Sequence, residues 1–469
     1  MIPARRVLLY ILMLLVFGAA IAAVLKLGSR LPAPAVEPLA ASERIAPAAG
    51  QDSALGRLFL QLLVIIAASR GIGYLFTRLG QPAVVGEMAA GILLGPSLLG
   101  LLAPKAFGFV FPQDSLGTLK LLSQVGVCFF MFTVGMDVNP GSIRGKARAA
   151  VAVSHASILV PYLLGVILAY ILFTDLAAAG SAFLPFALFM GISMSITAFP
   201  VLARILQERR MSKTPLGSTA LTCAAVDDVT AWTILAFVVA IAEAASLRGA
   251  LASFGLALLF VAVMIFGVRR WLPRWTGAER FAREEPSNGA LATVACVVVS
   301  SALTTEMIGI HALFGAFLAG AIMPEVHDFR RKIALRIESF SSVLLLPLFF
   351  AFTGLRTQIG LLGDLESWLL CLLIVVVATL GKLGGTAVAA RVTGMGWSEA
   401  LQLGALMNTR GLMELIALNI GYDLGLLSPR IFAMLVIMAL VTTTLTGPLL
   451  TLFGMRHVAA ADLYQASDA

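Results

Sequence analysis

The stretch from Thr219 to Ala240 reads TALTCAAVDDVTAWTILAFVVA, and in the middle of this apolar run stand two adjacent carboxylates, Asp227 and Asp228. Its length suits a membrane-spanning helix, which needs roughly 20 mostly apolar residues. An Asp or Lys at the bilayer centre costs roughly 2.5–3.5 kcal/mol on insertion scales, so such groups are expected to be paired and to have work to do. At 1.5 Å per residue the pair lies roughly 17 Å from the cytoplasmic end of its helix, near the midplane. Lys382, in VVVATLGKLGGTAVAAR (375–391), lies at a comparable depth in another run. Adjacent helical residues point about 100° apart, so one aspartate can meet the lysine while the other faces a cavity. The plainer alternative is that Asp227 and Lys382 only lock two helices together.

Outward from this stretch the whole chain is of the same kind. Of its 469 residues 59% are hydrophobic and 12% charged, whereas globular domains carry roughly 25% charged residues. The apolar content, about 277 residues from 59% of 469, caps the count of spans at about 14. A soluble enzyme on a single anchor is thereby excluded. The net charge of +8 sits in short clusters between apolar runs, which fits the positive loops of a polytopic membrane protein and not a nucleic-acid surface. Cys128, Cys223, Cys296 and Cys371 all lie in apolar runs without a CxxC pair, so they read as packing residues and no metal or cofactor is expected. No HExxH, GxSxG, Walker A loop or GxGxxG occurs, so no enzyme is expected.

The apolar runs predict an all-α polytopic fold with thirteen core spans near 56–76, 83–101, 118–136, 149–173, 183–206, 214–245, 249–267, 288–304, 308–323, 340–355, 366–391, 398–420 and 429–453. Counting Lys and Arg in the loops places 18 on one side, from Arg78 to Arg456, and 7 on the other. The richer side is the cytoplasmic one, the C-terminus with it. Ahead of this core, Arg5 and Arg6 precede an uncharged run from Val7 to Leu25. Residues 1–26 read equally as a signal peptide or as an additional helix. The divisions that follow are an external Pro/Ala-rich linker over 27–54, a transmembrane domain over 55–455 and a short cytoplasmic tail over 456–469. An integral protein of a bacterial inner membrane is expected.

Two spans are expected to break. GISMSITAFPVLARIL (191–206) carries Ser193, Ser195 and Thr197 just before Pro200, and proline removes a backbone donor and disfavours helix at the residue before it. GALMNTRGLMELIALNIG (404–421) is interrupted by Asn408, Thr409, Arg410 and Gly411. These are the fifth and twelfth spans. Their odd offset gives them opposite orientation, the pattern of an inverted-topology repeat with its site at the midplane. The sixth span, with Asp227 and Asp228, pairs in the same way with the thirteenth. Arg410 and Glu414 are four residues apart and can form an ion pair on one helix face; shaping a cation pathway is the sharper alternative. Glu87, about a turn inside the cytoplasmic edge, reads equally as a vestibule group or a helix contact. His311 reads as a packing residue, with proton sensing as the sharper alternative, and Gly91 and Gly95 form a GxxxG pair that favours close helix approach. The basic segment from Glu325 to Ser339 reads as a cytoplasmic surface helix.

Together QPAVVGEMAAGILLGPSLLG (81–100), SITAFPVLARIL, AAVDDVTAW, GIHALFGAFLAGAIMP (309–324), the Gly381–Lys382 pair and MNTRGLMELI (407–416) resemble the monovalent cation:proton antiporter family. The branch they are similar to contains bacterial potassium-efflux and sodium/proton antiporters and plant cation/H+ exchangers. Over 55–455 the resemblance implies a sodium/proton antiporter-like fold with a dimerisation domain, a mobile core and two crossed discontinuous helices, moving as an elevator in a homodimer. It implies that Asp228 binds the cation or proton, that Asp227 is the preceding acidic position, that Lys382 is its charge partner and that Thr197 stands at the crossing. A double aspartate with a lysine implies electrogenic exchange in this family, whereas Asn or Gln at the first position goes with a different, often electroneutral, stoichiometry. Some relatives append a nucleotide-binding regulatory domain, which is not expected here. The partners implied are K+ or Na+, protons and lipid. The reading is a secondary antiporter in which cation and proton compete for one carboxylate. The alternative from another class is an ion channel or nonselective pore, for which a filter loop of the TVGYG kind is absent from the sequence.

Overall fold

A computed structural model of the protein describes residues 4–29, 54–137, 147–212, 214–243, 247–276, 286–324 and 329–454. Residues 30–53, nearly all of the expected linker, and the tail over 456–469 lie outside the described residues. Among the described residues the chain is built of helices: α1 (Ala4–Gly28), α2 (Ala54–Arg78), α3 (Ala83–Leu94), α4 (Leu99–Leu102), α5 (Pro104–Val110), α6 (Gln113–Asp137) and α7 (Ala147–Leu176). They continue with α8 (Phe183–Ser195), α9 (Phe199–Glu208), α10 (Pro215–Glu243), α11 (Leu247–Ala262), α12 (Arg269–Thr276), α13 (Asn288–Ile308) and α14 (Ala312–Ala321). The last are α15 (Phe329–Phe340), α16 (Leu346–Arg356), α17 (Leu365–Val392), α18 (Trp397–Met407), α19 (Leu412–Asp423) and α20 (Pro429–Leu452).

Eleven of these segments are long and apolar enough to cross a membrane, which makes the chain an integral membrane protein. Two further segments complete the thirteen expected spans: α14, with ten residues, and the interrupted pair α18–α19. Both expected breaks are present. Ile196 at the end of α8 has ψ 135° and Ala198 before α9 has ψ 93°, so the chain is extended between them; Phe199, the residue before the proline, is already the first of α9, and Pro200 sits in the first turn, where its missing N–H costs nothing. The second break falls at Asn408–Gly411, between α18 and α19. The basic surface helix corresponds to α15, with residues 325–328 outside the described range. It runs through a π-helical turn, Ser341–Leu345, straight into α16, and buries Phe329 and Ile333 completely.

The helices form two bundles. In one, α2 packs on α3, α3 and α6 on α16, and α14 lies between α6 and α13. In the other, α7 packs on α8, α10 and α17, and α20 on α17, α18 and α19. Helices approach closely in the first bundle because side chains are missing at the contacts. A Cβ at Gly91 would fall 2.1 Å from the carbonyl oxygen of Phe350, and one at Gly95 2.4 Å from that of Gly354, so the GxxxG pair seats α3 on α16. Gly135 and Gly320 do the same reciprocally for α6 and α14, each Cβ position lying 2.0 Å from a carbonyl oxygen of the partner helix.

Candidate functional site

The two broken spans cross in the second bundle, and main-chain hydrogen bonding ties the breaks to each other. The N–H of Ala198 donates to the carbonyl of Thr409 at 3.0 Å, and the Thr197 hydroxyl oxygen lies 3.0 Å from the carbonyl of Met407. A helix end leaves its last carbonyls without partners, and cations are favoured at that negative pole. Two basic side chains fill this role for α8. Arg410 donates to the carbonyls of Ser193 and Met194, each at 2.6 Å, and Lys382 donates to the next, that of Ser195. At the other side of the break the N–H of Phe199, first residue of α9, donates to the Asp228 carboxyl group, which thus stands at a helix N-terminus.

The charged groups at the crossing are fully enclosed. Asp227, Lys382, Arg410 and Glu414 have no exposed surface and Asp228 has 3%. Lys382 of α17 meets Asp227 of α10 at 2.8 Å. Arg410 meets Glu414 at 3.1 Å in the expected i,i+4 pair. Asp227 is further satisfied on both oxygens: Oδ1 accepts from Ser154 at 2.6 Å and Ser157 at 3.0 Å, and Oδ2 accepts from Thr197 at 2.7 Å. Asp228 differs, for its Oδ1 has no partner among the described residues. Both side-chain polar atoms of the fully buried Asn408, and Oε1 of Glu414, are likewise without partners there.

Of the residues expected from sequence, the structure thus gathers Asp227, Asp228, Lys382, Thr197, Arg410 and Glu414 at one place. Ser195 contributes its backbone carbonyl, while its hydroxyl turns back to Gly191 and Ile158. Thr409 closes on Leu406 and on Thr446 of α20. Glu87 stands apart: it is buried in α3 within electrostatic reach of Arg70 in α2 and Arg204 in α9. That places it at a contact between the bundles. Sequence reading did not single out Ser154 and Ser157, whose spacing in VSHAS puts both hydroxyls on one face of α7. It also passed over Thr443, whose hydroxyl accepts from the N–H of Arg410 and donates to its carbonyl at 2.9 and 2.7 Å. A cluster of threonines in the thirteenth span was the available signal.

The arrangement offers a cation or a proton one buried carboxylate oxygen that has no partner among the described residues. Residues 63–456 match the family described as "Sodium/hydrogen exchanger, transmembrane". The chain is 44% identical, over 84% of its own length and 96% of the relative's, to the Na(+)/H(+) antiporter NhaS4 of Synechocystis. It is 40% identical to cation/H(+) antiporter 17 of Arabidopsis thaliana over 85% of the chain, and spans about half of that relative, 48%. With K(+)/H(+) antiporter 1 of Saccharomyces cerevisiae the identity is 31%, over 85% of the chain and 46% of the relative. The solved structure of the sodium proton antiporter MjNhaP1 from Methanocaldococcus jannaschii aligns with a TM-score of 0.57, covering 85% of this chain and all of that one, at 14% identity. That likeness concerns the fold.

Proposed function

The chain belongs to the sodium/hydrogen exchanger family, and from that premise we propose that it is a secondary antiporter exchanging Na+ or K+ for protons. The observation that carries the mechanism is Asp228 with an open oxygen beside an Asp227 whose oxygens are both occupied. A carboxylate in an enclosed site needs a neutralising partner, and either a proton or an alkali cation serves. Binding of one expels the other, which couples the two fluxes. Asp227 and Lys382 form the fixed frame of this site, and Thr197 joins that frame to the crossing. Arg410, with Glu414, holds the end of α8 in place so that the open oxygen keeps its position. The carbonyls freed at the breaks and the Asn408 amide are the further oxygen ligands available to a cation; Ser195, Thr409 and Glu87 line or flank the path.

The bundle of α7–α10 and α17–α20 is the moving core in this reading, and the bundle of α2, α3, α6, α13, α14 and α16 is the scaffold against which it slides, in a homodimer. Residues 55–455 form the exchange unit in a bacterial inner membrane with the C-terminus cytoplasmic. Residues 1–26 are read as an additional helix, since Ile21, Val24 and Leu25 of α1 pack against the core. The pore alternative has no support among the relatives above, whose names are those of antiporters. The test is cation flux into proteoliposomes driven by an imposed pH gradient. Flux that disappears in Asp228→Asn supports the site, and flux unchanged in that variant removes it.

A further inference from the structure

We infer that His311 is a second proton site, at the outer end of the contact between the two bundles, and that a proton taken from outside onto its ring fastens the core to the scaffold and slows exchange. The inference rests on the exchange reading and the orientation given above, and adds to them a control by external acid. The crossing and its ion pairs take no part in it.

His311 stands at the start of α14 in a setting unlike that of a packing residue. Its backbone has φ 21° and ψ 135°, a conformation that residues other than glycine seldom adopt and that persists only where the surroundings enforce it. Its Nδ1 is buried without a hydrogen-bond partner among the described residues, and so is the Oγ of Ser123 in α6, a residue 1% exposed. Both side chains line one cavity of about 30 Å³, to which α19 of the core contributes Asn419 and Asp423. Buried polar atoms left unmet are costly, and here two of them share one small space. A neutral imidazole carries a single N–H, whereas the protonated ring carries two. Protonation therefore puts a charged donor into a cavity where a hydroxyl and a carboxylate can accept.

The charges around this end favour a further cation. Asp423 meets Arg356 of α16 at 2.7 Å and Lys120 of α6 at 3.2 Å, both on Oδ1. Glu306 of α13 accepts from the N–H of Ala312, next to His311, at 2.7 Å, and Glu243 at the end of α10 lies beside Gly309. Cys128 of α6 is within electrostatic reach of Glu306, and Glu306, Asp423 and Lys120 all act on the ring. Three carboxylates thus stand against two basic groups, and a protonated imidazole cancels the negative charge left over. Glu306 belongs to the scaffold, as His311 does, so attraction between them moves nothing. Asp423 belongs to the core. Once charged, His311 pulls on Asp423 from the scaffold side, alongside Arg356 and Lys120, and adds a tie across the surface on which the core slides. A ligand shifts an equilibrium toward the state that binds it better, so protons outside hold the core in this position. The side chains of Lys120 and Asp423 are 35% and 28% exposed, which opens the cavity to the outer solution. An exchanger that admits protons in return for a cation acidifies the cell when the exterior is acid, and this brake limits that.

The experiment follows exchange of radioactive sodium, and of rubidium in place of potassium, in right-side-out and everted membrane vesicles from cells expressing the full chain. The bath is set at about pH 7.5 or about pH 5.5, which spans the range where imidazoles titrate. Competition at Asp228 slows both orientations in acid, but only right-side-out vesicles expose His311 to the bath. One added, partly exposed ion pair is worth about fivefold in an equilibrium, so the acid bath should slow right-side-out vesicles by up to about fivefold more than everted ones. His311→Asn keeps a residue that tolerates positive φ; it should exchange like the wild type at the higher pH and respond to acid equally in both orientations. Asp423→Asn, which removes the group that the charged ring pulls, should lose the same excess, and it decides the matter alone if the His311 variant fails to reach the membrane. Acid responses in the wild type that are equal in the two orientations, or larger in everted vesicles, overturn the inference and leave exchange standing, as does an excess that survives in His311→Asn. An excess lost in that variant but kept in Asp423→Asn overturns the part given to Asp423. Vesicles that take up neither ion faster than vesicles without the chain remove the exchange reading, and the inference with it.

Discussion

Replacing Lys382 by Met and Asp228 by Asn should give opposite results for stability, although both side chains are buried and charged and both variants should lose transport. Lys382→Met leaves Asp227 as an uncompensated anion in a fully enclosed site and orphans the Ser195 carbonyl. Breaking a buried pair by removing one partner costs about 3–5 kcal/mol. The hydroxyls of Ser154, Ser157 and Thr197 remain on the carboxylate, so the lower end, about 3 kcal/mol, is expected. Asp228→Asn breaks no ion pair. Its Oδ1 has no partner to lose, and the change removes a like charge adjacent to Asp227, so the shift should stay within about 1 kcal/mol and lean toward stabilisation. The assay is thermal loss of the monodisperse peak in size-exclusion chromatography of detergent-solubilised protein, heated at a series of temperatures. The reasoning fails if Asp228→Asn is the more damaging change, or if Lys382→Met melts with the wild type.

Arg410→Lys should abolish most transport and destabilise by about 1–3 kcal/mol, because one ammonium cannot reproduce the fork that reaches two carbonyls and Glu414; wild-type flux in this variant would sink the role given to Arg410. Gly320→Ala places a methyl 2.0 Å from the Phe132 carbonyl oxygen, forcing α6 and α14 apart at a cost of about 1–3 kcal/mol or more, visible as reduced membrane yield and melting temperature; normal values for both would contradict the close packing. Asp423→Asn removes the carboxylate that meets Arg356 at 2.7 Å and Lys120 at 3.2 Å, contacts that join α19 to α16 and α6 beside a cavity of about 30 Å³. These pairs are partly exposed and worth at most about 1 kcal/mol each, so stability should barely change while a cysteine placed at Ser123 in the cavity wall is labelled faster by an external thiol reagent. An unchanged labelling rate would argue against the contact acting as a closure.

The sequence made the fold legible wherever one side chain alone dictates the outcome. Pro200 cannot stand inside an unbroken span without losing a backbone hydrogen bond and is at home in the first turn of a new helix, so the first break could be placed to within a few residues; the second was visible because Asn408, Thr409, Arg410 and Gly411 interrupt an otherwise apolar run. The expensive residues were legible for the same reason, since Asp227, Asp228 and Lys382 have few permissible partners at the midplane. What escaped were Ser154, Ser157 and Thr443, and the physical cause is that hydroxyls in apolar helices have a local default. Thr219, Thr222, Thr230 and Thr233 of α10 each donate to the carbonyl four residues back, a bond available to any serine or threonine in any helix. A hydroxyl thus costs a membrane helix little and advertises nothing. Only the packing of α7 against α10 shows that Ser154 and Ser157 leave that default for a carboxylate. The charged residues of such a site can therefore be found from sequence, but the neutral donors that satisfy one of two adjacent aspartates while an oxygen of the other stays open cannot.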